Sequence, residues 1–376
     1  MKYFIIAGEA SGDLHASHLM RELKKKDSSA DFTFFGGELM ASEGGILLKH
    51  YREMAFMGLF PVIFNLHKIK RNFNLARRKL LEFKPDVLIL VDYPGFNLPM
   101  AEYAKANGIK VFYYISPKIW AWKTKRVHKV KKFVDEMFTI FPFETAFYNK
   151  YNYKVRFVGN PTIDELSRRP NQQETFEEFI QKNNLKDQPI IALLAGSRRQ
   201  EIKRILPVLA IVSQRFTEYQ FVIAGAPSQS QPLYDEVLGK TPIPVVFGQT
   251  YELLQQSTAA LVASGTATLE TAFLNIPQVV CYRIEAGRLG TWVKDQLVKI
   301  PFISLVNLIA GREIVKELFQ QYCTPDTVSE ELNRILTDNS YRKSMLYGYA
   351  EVLTDLGGPG CAERAANEMI ELLKSK

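Results

Sequence analysis

Two acidic positions in the first half of the sequence follow apolar runs that have the character of buried strands. The run YFIIA (3–7) leads into the turn GEASGD (8–13), and the run VLILV (87–91) leads into DYPGFN (92–97). In open parallel sheets, ligands collect beyond the carboxyl ends of the strands. Asp92 therefore stands where a general base would lie, if burial raises its pKa toward the working pH. The alternative is that its carboxylate bonds the backbone amides of its own turn.

The turn GEASGD lacks the chemistry of a dinucleotide-binding loop. It supplies two glycines where that motif needs three, and the carboxylates of Glu9 and Asp13 would repel a pyrophosphate. We expect Glu9 and Ser11 to hydrogen-bond the hydroxyls of a neutral, sugar-like group. The alternative, favoured more for Asp13 than for Glu9, is a structural role at the start of the following helix, as a cap or as a favourable charge on its dipole.

A loop with the opposite chemistry occurs in the second half, in LLAGSRRQEI (193–202). A predicted strand ends there in small residues, and Ser197 and Arg198 precede a predicted helix. Backbone amides at a helix start and a bidentate guanidinium both suit a phosphate group. The alternative is that Arg198 and Arg199 are simply solvated.

A third loop, ALVASGTATLETA (260–272), also combines a strand, a small polar turn and a helix. The turn is formed by Ser264, Gly265 and Thr266, whose helix-start amides could hold a diphosphate. Glu270, one turn further on, could hold a ribose diol. Either loop alone is weak evidence, but together they predict a nucleotide site in the second half.

Positive charge is concentrated in the first half, where residues 1–160 carry 26 Lys and Arg against 15 Asp and Glu. The segments 60–83 and 118–132 mix cations with large apolar or aromatic residues, which is typical of a peripheral contact with an anionic membrane surface. The alternatives are a helix packed on its own sheet and a nucleic-acid site, which we disfavour because no nucleic-acid-binding motif is present. Our candidates for this membrane contact are Leu59, Phe60, Phe64, Trp120, Trp122 and Lys123.

Taken together, the motifs resemble lipid-A-disaccharide synthase, in that family's order and over nearly the whole chain. They are GEASGD, DYPGFN, SPKIWAW (116–122), LLAGSRRQEI, SGTATLET (264–271) and LVNLIAGREIVKELFQ (305–320). The resemblance implies an inverting GT-B glycosyltransferase that acts at the membrane surface. It would join UDP-2,3-diacylglucosamine to the 6-hydroxyl of 2,3-diacylglucosamine 1-phosphate, giving a β-1,6 disaccharide and UDP. We expect no metal ion or other cofactor, since no Asp-x-Asp pair is present.

The resemblance also implies roles for single residues. Asp92 matches the family's proposed catalytic aspartate, and Arg198 and Asn307 match residues implicated in nucleotide or phosphate handling. Glu270 falls at the carboxylate that GT-B enzymes use on ribose. A UDP-sugar epimerase or another glycosyltransferase of the same architecture remains the alternative, because a fold does not determine a reaction.

The elements that would position these residues follow an alternating strand and helix pattern, which predicts two doubly wound Rossmann-like α/β domains facing across a cleft. Ten strand candidates support this, at 3–7, 32–36, 87–91, 110–115, 136–141, 189–196, 219–225, 243–248, 259–264 and 277–282. We expect an acceptor domain at 1–167, a connector at 168–188, a UDP-sugar domain at 189–355 and a terminal helix within 356–376. That helix, at about 361–374, could pack on either domain or on a partner subunit, so a homodimer stays open.

The length of 376 residues agrees with two domains of ordinary size. No apolar stretch approaches the roughly 18 residues of a membrane span, and the N-terminus has no signal-peptide pattern. The three cysteines are far apart and odd in number, which favours a reducing compartment. We therefore expect a cytoplasmic protein, associated peripherally with the inner face of the cytoplasmic membrane.

Overall fold

The computed structural model describes residues 1–54, 66–121, 123–239, 241–283 and 301–375. The chain divides into two compact units. The first domain comprises Met1–Asp164 with Gly358–Lys376, and the second comprises Glu165–Gly357. Within the described ranges, no helix has the length and apolar character needed to cross a membrane.

The first domain contains a seven-stranded sheet in the order β3-β2-β1-β4-β5-β6-β7, with all neighbours parallel. Its central strands are buried on both faces, which explains why they read as unbroken apolar runs in the sequence. Its strands are β1 (Lys2–Ala7), β2 (Asp31–Gly36), β3 (Ile46–His50), β4 (Val87–Val91), β5 (Lys110–Tyr114), β6 (Glu136–Thr139) and β7 (Arg156–Phe157).

The second domain contains a six-stranded parallel sheet in the order β10-β9-β8-β11-β12-β13. Its strands are β8 (Ile190–Leu194), β9 (Gln220–Gly225), β10 (Val245–Phe247), β11 (Ser257–Ala263), β12 (Gln278–Tyr282) and β13 (Glu317–Phe319). Two parallel-sheet α/β domains, expected from the sequence, are thus confirmed.

Helices connect the strands in both domains. They are α1 (Ala10–Lys26), α2 (Glu38–Ser42), α3 (Leu66–Phe83), α4 (Pro94–Ala106), α5 (Val127–Phe133), α6 (Pro142–Asn149), α7 (Pro161–Ser167), α8 (Phe176–Lys182), α9 (Arg199–Ser213), α10 (Gln231–Leu238), α11 (Thr250–Gln255), α12 (Thr266–Phe273), α13 (Leu305–Ala310), α14 (Pro325–Thr337), α15 (Asn339–Asp355) and α16 (Cys361–Lys374). The expected connector contains α8, whose Phe179 and Ile180 lie in the core of the second domain.

Each sheet reverses its strand order at one point, and ligands of open α/β sheets bind at such points. In the first sheet the reversal lies between β1 and β4, where Ala7 pairs with Val91. In the second it lies between β8 and β11, where Leu194 pairs with Val262. The four loops selected from the sequence for their chemistry follow these four strands. The topology therefore brings them together as two pairs, one in each domain.

The terminal helix α16 packs on the first domain. Its apolar side, including Cys361, Ala365 and Met369, joins the same core as Leu19 of α1. Arg364 Nε also donates to the Val158 carbonyl at 2.8 Å. The sequence left open whether this helix packs on either domain or on a partner subunit, and in the structure it packs on the first domain of its own chain. A homodimer stays a prediction.

Helix α3 also packs on its own sheet, through Ala76 and Leu80 in the core. The apolar side of the described part of α3 therefore packs inside the domain. This agrees with the alternative, a helix packed on its own sheet, rather than with a helix lying on a bilayer. Arg77 stacks on the rings of Phe73 and Tyr103, with its guanidinium carbon 4.3 and 4.5 Å from their centroids. The residues preceding α3, among them Leu59, Phe60 and Phe64, lie outside the described part of the chain.

Candidate active site

Asp92 lies in a strained turn at the carboxyl end of β4. Asp92 and Tyr93 have φ angles of 42° and 47°, a left-handed conformation that costs a non-glycine residue roughly 1 kcal/mol or more. The turn is fixed by side chains that bind the Asp92 carbonyl oxygen, namely Asn97 Nδ2 at 2.8 Å and the Tyr113 hydroxyl. Such overdetermined strain is common at functional sites, since it aims a side chain in a fixed direction.

The Asp92 carboxyl group is in an environment that suits proton transfer. Burial raises its pKa above the ordinary value, while the charge of Lys118, a hydrogen bond from the backbone amide of Tyr93 and the charge of His15 partly oppose that rise. The bond to Tyr93 agrees with the alternative that Asp92 binds its own turn. Lys118 follows β5 and His15 lies on α1, so three different elements converge on this carboxyl group. A buried carboxylate whose pKa is raised is a better proton acceptor than an ordinary exposed one.

Gly8 and Glu9, at the end of β1, contact the Asp92 turn through Tyr93. A Cβ atom on Gly8 would overlap the Tyr93 ring, so only glycine allows the ring to lie against this backbone. Burial, together with the negative charge of Glu9, raises the pKa of Tyr93 to about 12. Tyr93 Oη donates to the Met54 carbonyl at 2.7 Å. Ser11 is exposed at the start of α1.

Asp13 lies in the first turn of its own helix α1, where its charge is favourable to the helix dipole, and its carboxylate also has a structural role at another helix. Its carboxylate accepts hydrogen bonds from the backbone amides of Gly37 at 2.7 Å and of Leu39 and Met40 at 3.1 Å. These amides open α2, which follows the neighbouring strand β2, so Asp13 caps a helix distant in sequence. The expectation of a cap on α1 is therefore wrong, because the side chain is buried and turned toward α2.

The loop after β8 is already partly occupied by a carboxylate of its own. Glu201 Oε2 accepts from the amides of Ser197 and Arg198, both at 3.3 Å, and its Oε1 lies 3.2 Å from Arg198 Nη1. Gly196 has a φ of 101°, and a side chain there would meet Glu201 within 2.6 Å. The Arg198 side chain is 74% exposed. The two loop amides just before α9 are thus satisfied by Glu201, whereas the guanidinium can reach an anion from solvent.

In the loop after β11, the start of the following helix is open to solvent. Helix α12 begins after Gly265 without a side-chain cap, and Gly265 and Thr266 are exposed. Uncapped amides at a helix start attract anions through their N–H groups and the helix dipole. Ser264 Oγ donates to the Ile303 carbonyl at 2.8 Å, which ties this turn to the segment before α13.

Glu270 lies near Glu165 and Tyr251, beside the same loop. Burial and the nearby charge of Glu165 raise its pKa to about 7, and it in turn raises the pKa of Tyr251. Ionised Glu270 would accept hydrogen bonds from a diol, which would also relieve its desolvation.

Asn307 is fully buried, and its amide is saturated by protein partners. Its Oδ1 accepts from Ile314 N at 2.7 Å and Val315 N at 3.0 Å. Its Nδ2 donates to Val315 O at 2.8 Å and to Glu317 Oε1 at 2.9 Å. An amide has two donors and two acceptor lone pairs, so no capacity remains for a nucleotide. Nucleotide or phosphate handling by Asn307 stays a prediction, and this geometry favours a supporting role over direct contact.

Glu317 connects Asn307 to the α12 loop. Its carboxylate accepts from Ile303 N at 2.8 Å and Ser304 N at 2.9 Å as well as from Asn307. The Ile303 carbonyl in turn accepts the Ser264 hydroxyl. Asn307 and Glu317 thus hold the segment that orients the turn at Ser264.

The aromatic candidates of the first domain are only partly described. Trp120 is half-buried and packs edge-on against Phe143 at 4.8 Å, whereas Lys123 is exposed. Trp122 lies outside the described residues. Beside Trp120, burial raises the pKa of Glu144 to about 7, and its carboxylate accepts from Ile140 N and Phe141 N. Lipid contact by Trp120 or Lys123 stays a prediction.

Sequence reasoning missed His15, Lys118 and Glu317. His15 lies two residues after GEASGD, and Lys118 lies within SPKIWAW, so both fall in or beside motifs that we had selected. They would have been found if every polar residue near the carboxyl end of a strand had been considered as a candidate. Glu317 belongs to β13, a short edge strand with no apolar run to mark it.

The comparisons with known proteins agree with this architecture. The lipid-A-disaccharide synthetase family model matches residues 3–362. The lipid-A-disaccharide synthase of Myxococcus xanthus (strain DK1622) is 39% identical, over 99% of this chain and 97% of that protein.

Two solved structures show the same fold at low sequence identity. A UDP-GlcNAc 2-epimerase from Neisseria meningitidis, bound to UDP-GlcNAc, has a TM-score of 0.66 at 15% identity and covers 100% of both chains. The calicheamicin glycosyltransferase CalG4 has a TM-score of 0.59 at 15% identity, over 100% of this chain and 98% of that one. These neighbours confirm the GT-B fold class, and the family match confirms a UDP-sugar glycosyltransferase. The chain belongs to the lipid-A-disaccharide synthetase family.

Proposed function

We propose that this enzyme transfers 2,3-diacylglucosamine from UDP-2,3-diacylglucosamine to the 6-hydroxyl of 2,3-diacylglucosamine 1-phosphate, with inversion. The products are a β-1,6-linked disaccharide 1-phosphate and UDP. The observation that carries the proposal is the Asp92 carboxyl group, aimed by a strained turn at the reversal point of the first sheet, with a pKa raised by burial. Family membership supplies the substrate class.

The chemical step is a single displacement. Asp92 accepts the proton of the acceptor hydroxyl as that oxygen attacks the anomeric carbon and the bond to UDP breaks. Lys118 and His15 favour the ionised carboxylate, which limits the rise in pKa caused by burial. Glu9 and Ser11, at the end of the neighbouring strand, are our candidates for hydrogen-bonding the acceptor sugar.

The nucleotide site is assigned to the second domain. The exposed start of α12 at Gly265 suits the diphosphate better than the loop before α9 does, since a phosphate at α12 need not displace Glu201 from the amides of Ser197 and Arg198. Arg198 adds an exposed positive charge that can stabilise the leaving diphosphate. Glu270 accepts hydrogen bonds from the ribose hydroxyls.

Peripheral association with the inner face of the cytoplasmic membrane is part of the proposal. Both proposed sugar substrates carry acyl chains, so the enzyme must take them from a lipid surface. The excess of cations in the first half of the chain supports attraction to anionic lipid.

A mass-spectrometric assay with the UDP-diacylsugar, with and without the acylated sugar 1-phosphate, tests the reaction. The proposal expects a disaccharide 1-phosphate and UDP only when both substrates are present. A changed UDP-sugar without acceptor would instead show an epimerase, the activity named for several fold neighbours. If neither product is formed, both functions are contradicted.

Asp92→Asn tests the base. It should lower kcat by at least about 100-fold, because general-base catalysis contributes roughly that much or more. The affinity for UDP should stay within about twofold. Asp31→Asn, an exposed carboxylate in the same domain, is the matched control and should retain activity. Loss of UDP binding together with turnover would mean that Asp92 is structural.

A further inference from the structure

A groove in the first domain combines several cations that the proposed chemistry does not use. Its volume is about 630 Å³, and it lies between β3 and the first three turns of α3. The cationic or ionisable residues lining it are Lys49 from β3 and His67, Lys70, Arg71 and Arg78 from α3. On a helix these α3 positions share one face, which is exposed, while Ala76 and Leu80 on the other face are buried.

The cations of the groove outnumber its carboxylates. Lys49 pairs with Glu53, and Arg78 Nε lies 3.6 Å from Glu82, which also binds Lys79. Among the residues that the structure describes, no ion pair is formed by Lys70 or Arg71, although Arg71 lies close enough to lower the pKa of Glu53. The groove therefore has an excess positive charge that an anion could neutralise.

Packing does not explain this face of α3. The cation with a structural role on the helix is Arg77, which turns inward onto Phe73 and Tyr103. Lys70 and Arg71 point instead into the groove beside Asn74. A guanidinium and an ammonium, with the side-chain amide of Asn74 beside them, form a donor set that fits phosphate oxygens.

The groove is linked to the Asp92 turn by direct hydrogen bonds. Asn72, in the groove wall, donates to the Glu53 carbonyl at 3.1 Å. The next residue, Met54, accepts from Tyr93 Oη at 2.7 Å, and Tyr93 adjoins Asp92. The groove wall and the turn of the candidate base are thus joined through the backbone of Glu53 and Met54.

We infer that this groove binds the phosphate group of a lipid, with Lys70 and Arg71 as its main ligands. Two sources supply that chemistry, the 1-phosphate of an acylated sugar acceptor and the phosphate of an anionic headgroup. The first source rests on the proposed reaction, whereas the second rests only on the proposed membrane association. In either case the bound phosphate would hold a lipid beside the Asp92 turn.

The test uses the full chain with Lys70→Glu and Arg71→Glu combined. Lys150→Glu with Lys154→Glu is the matched control, since both are exposed lysines of the same domain and the change in charge is equal. One arm measures the KM for the acylated sugar 1-phosphate in neutral detergent micelles. The other measures binding to phosphatidylcholine vesicles with and without 20 mol% phosphatidylglycerol, an experimental composition that requires no activity.

A rise of about tenfold or more in acceptor KM, with an unchanged KM for the UDP-sugar, would identify the acceptor phosphate as the ligand. A loss of about tenfold in binding to the anionic vesicles alone would identify the headgroup, since each basic residue near such a surface contributes roughly 1 kcal/mol. If the groove variant matches the control in both arms, the inference is overturned. A wild-type chain that binds anionic vesicles through Lys70 and Arg71 but forms no disaccharide would refute the proposed function while supporting the groove.

Discussion

Replacing Asn307 by alanine tests whether its buried amide supports the nucleotide loop. The change removes four hydrogen bonds and leaves unpaired the amides of Ile314 and Val315 and the carbonyl of Val315. It also removes one of the three donors to Glu317. Each buried polar group without a partner costs about 1–3 kcal/mol. Because water can enter the space left by the amide, we expect a loss of about 3–5 kcal/mol for the second domain.

Urea unfolding followed by circular dichroism measures this loss. With a slope of about 2–3 kcal/mol per molar urea, the transition of the second domain should move down by about 1–2 M. Amide exchange should also quicken in the peptide that contains Ile314 and Val315, since both amides lose their acceptor. The exposed Asn333 of α14 is the control, and Asn333→Ala should leave both readouts unchanged.

The same variant separates support from direct contact. If Asn307 acts through Glu317 and the 303–304 segment, UDP affinity should fall together with protection of that segment. If UDP binding is lost while the unfolding midpoint and the amide exchange stay unchanged, the reasoning is refuted and a direct contact between Asn307 and the nucleotide is favoured. A midpoint shift below about 0.5 M would show that the four hydrogen bonds contribute far less than their burial indicates.

Two further predictions concern the first domain. Burial raises the pKa of Glu144 to about 7, so its protonated form stabilises the fold at low pH and that stability is lost as the pH rises from about 4.5 to 7. Glu144→Gln should therefore raise the free energy of unfolding by up to about 3 kcal/mol over wild type at pH 8 and by little at pH 5. Thermal unfolding at the two pH values would show this difference, and an equal effect at both would contradict it. Gly8→Ala should displace the Tyr93 ring, costing about 1–3 kcal/mol and lowering kcat, and Tyr93→Leu in the same chain should partly restore stability; an unaltered melting temperature in Gly8→Ala would contradict the packing.

The strands found from the sequence are those with unbroken apolar runs. The interior strands β1, β4 and β8 are buried on both faces, so composition alone indicates them. The strands missed were β3, β7 and β13, all at sheet edges and short or partly exposed. An edge strand pairs on one side only, and therefore its sequence need not be continuously apolar.

The site was predicted to the level of loops but not of contacts. Glycine and small residues after a buried strand indicate a ligand loop, and the topology brought the selected loops together in each domain. The partner of a polar side chain depends on distant residues, however. Asp13 caps a helix that begins 25 residues later, and Asn307 binds the segment after its own helix. Local sequence does not contain that information.

The position of UDP tests the central claim of the account most directly. In a crystal structure of the complex, we expect the diphosphate at the start of α12, around Gly265, and the ribose hydroxyls at Glu270, with Asp92 making no contact with the nucleotide. UDP bound instead against the turn at Gly8 and Ser11, with the second domain empty, would contradict the assignment of the two domains.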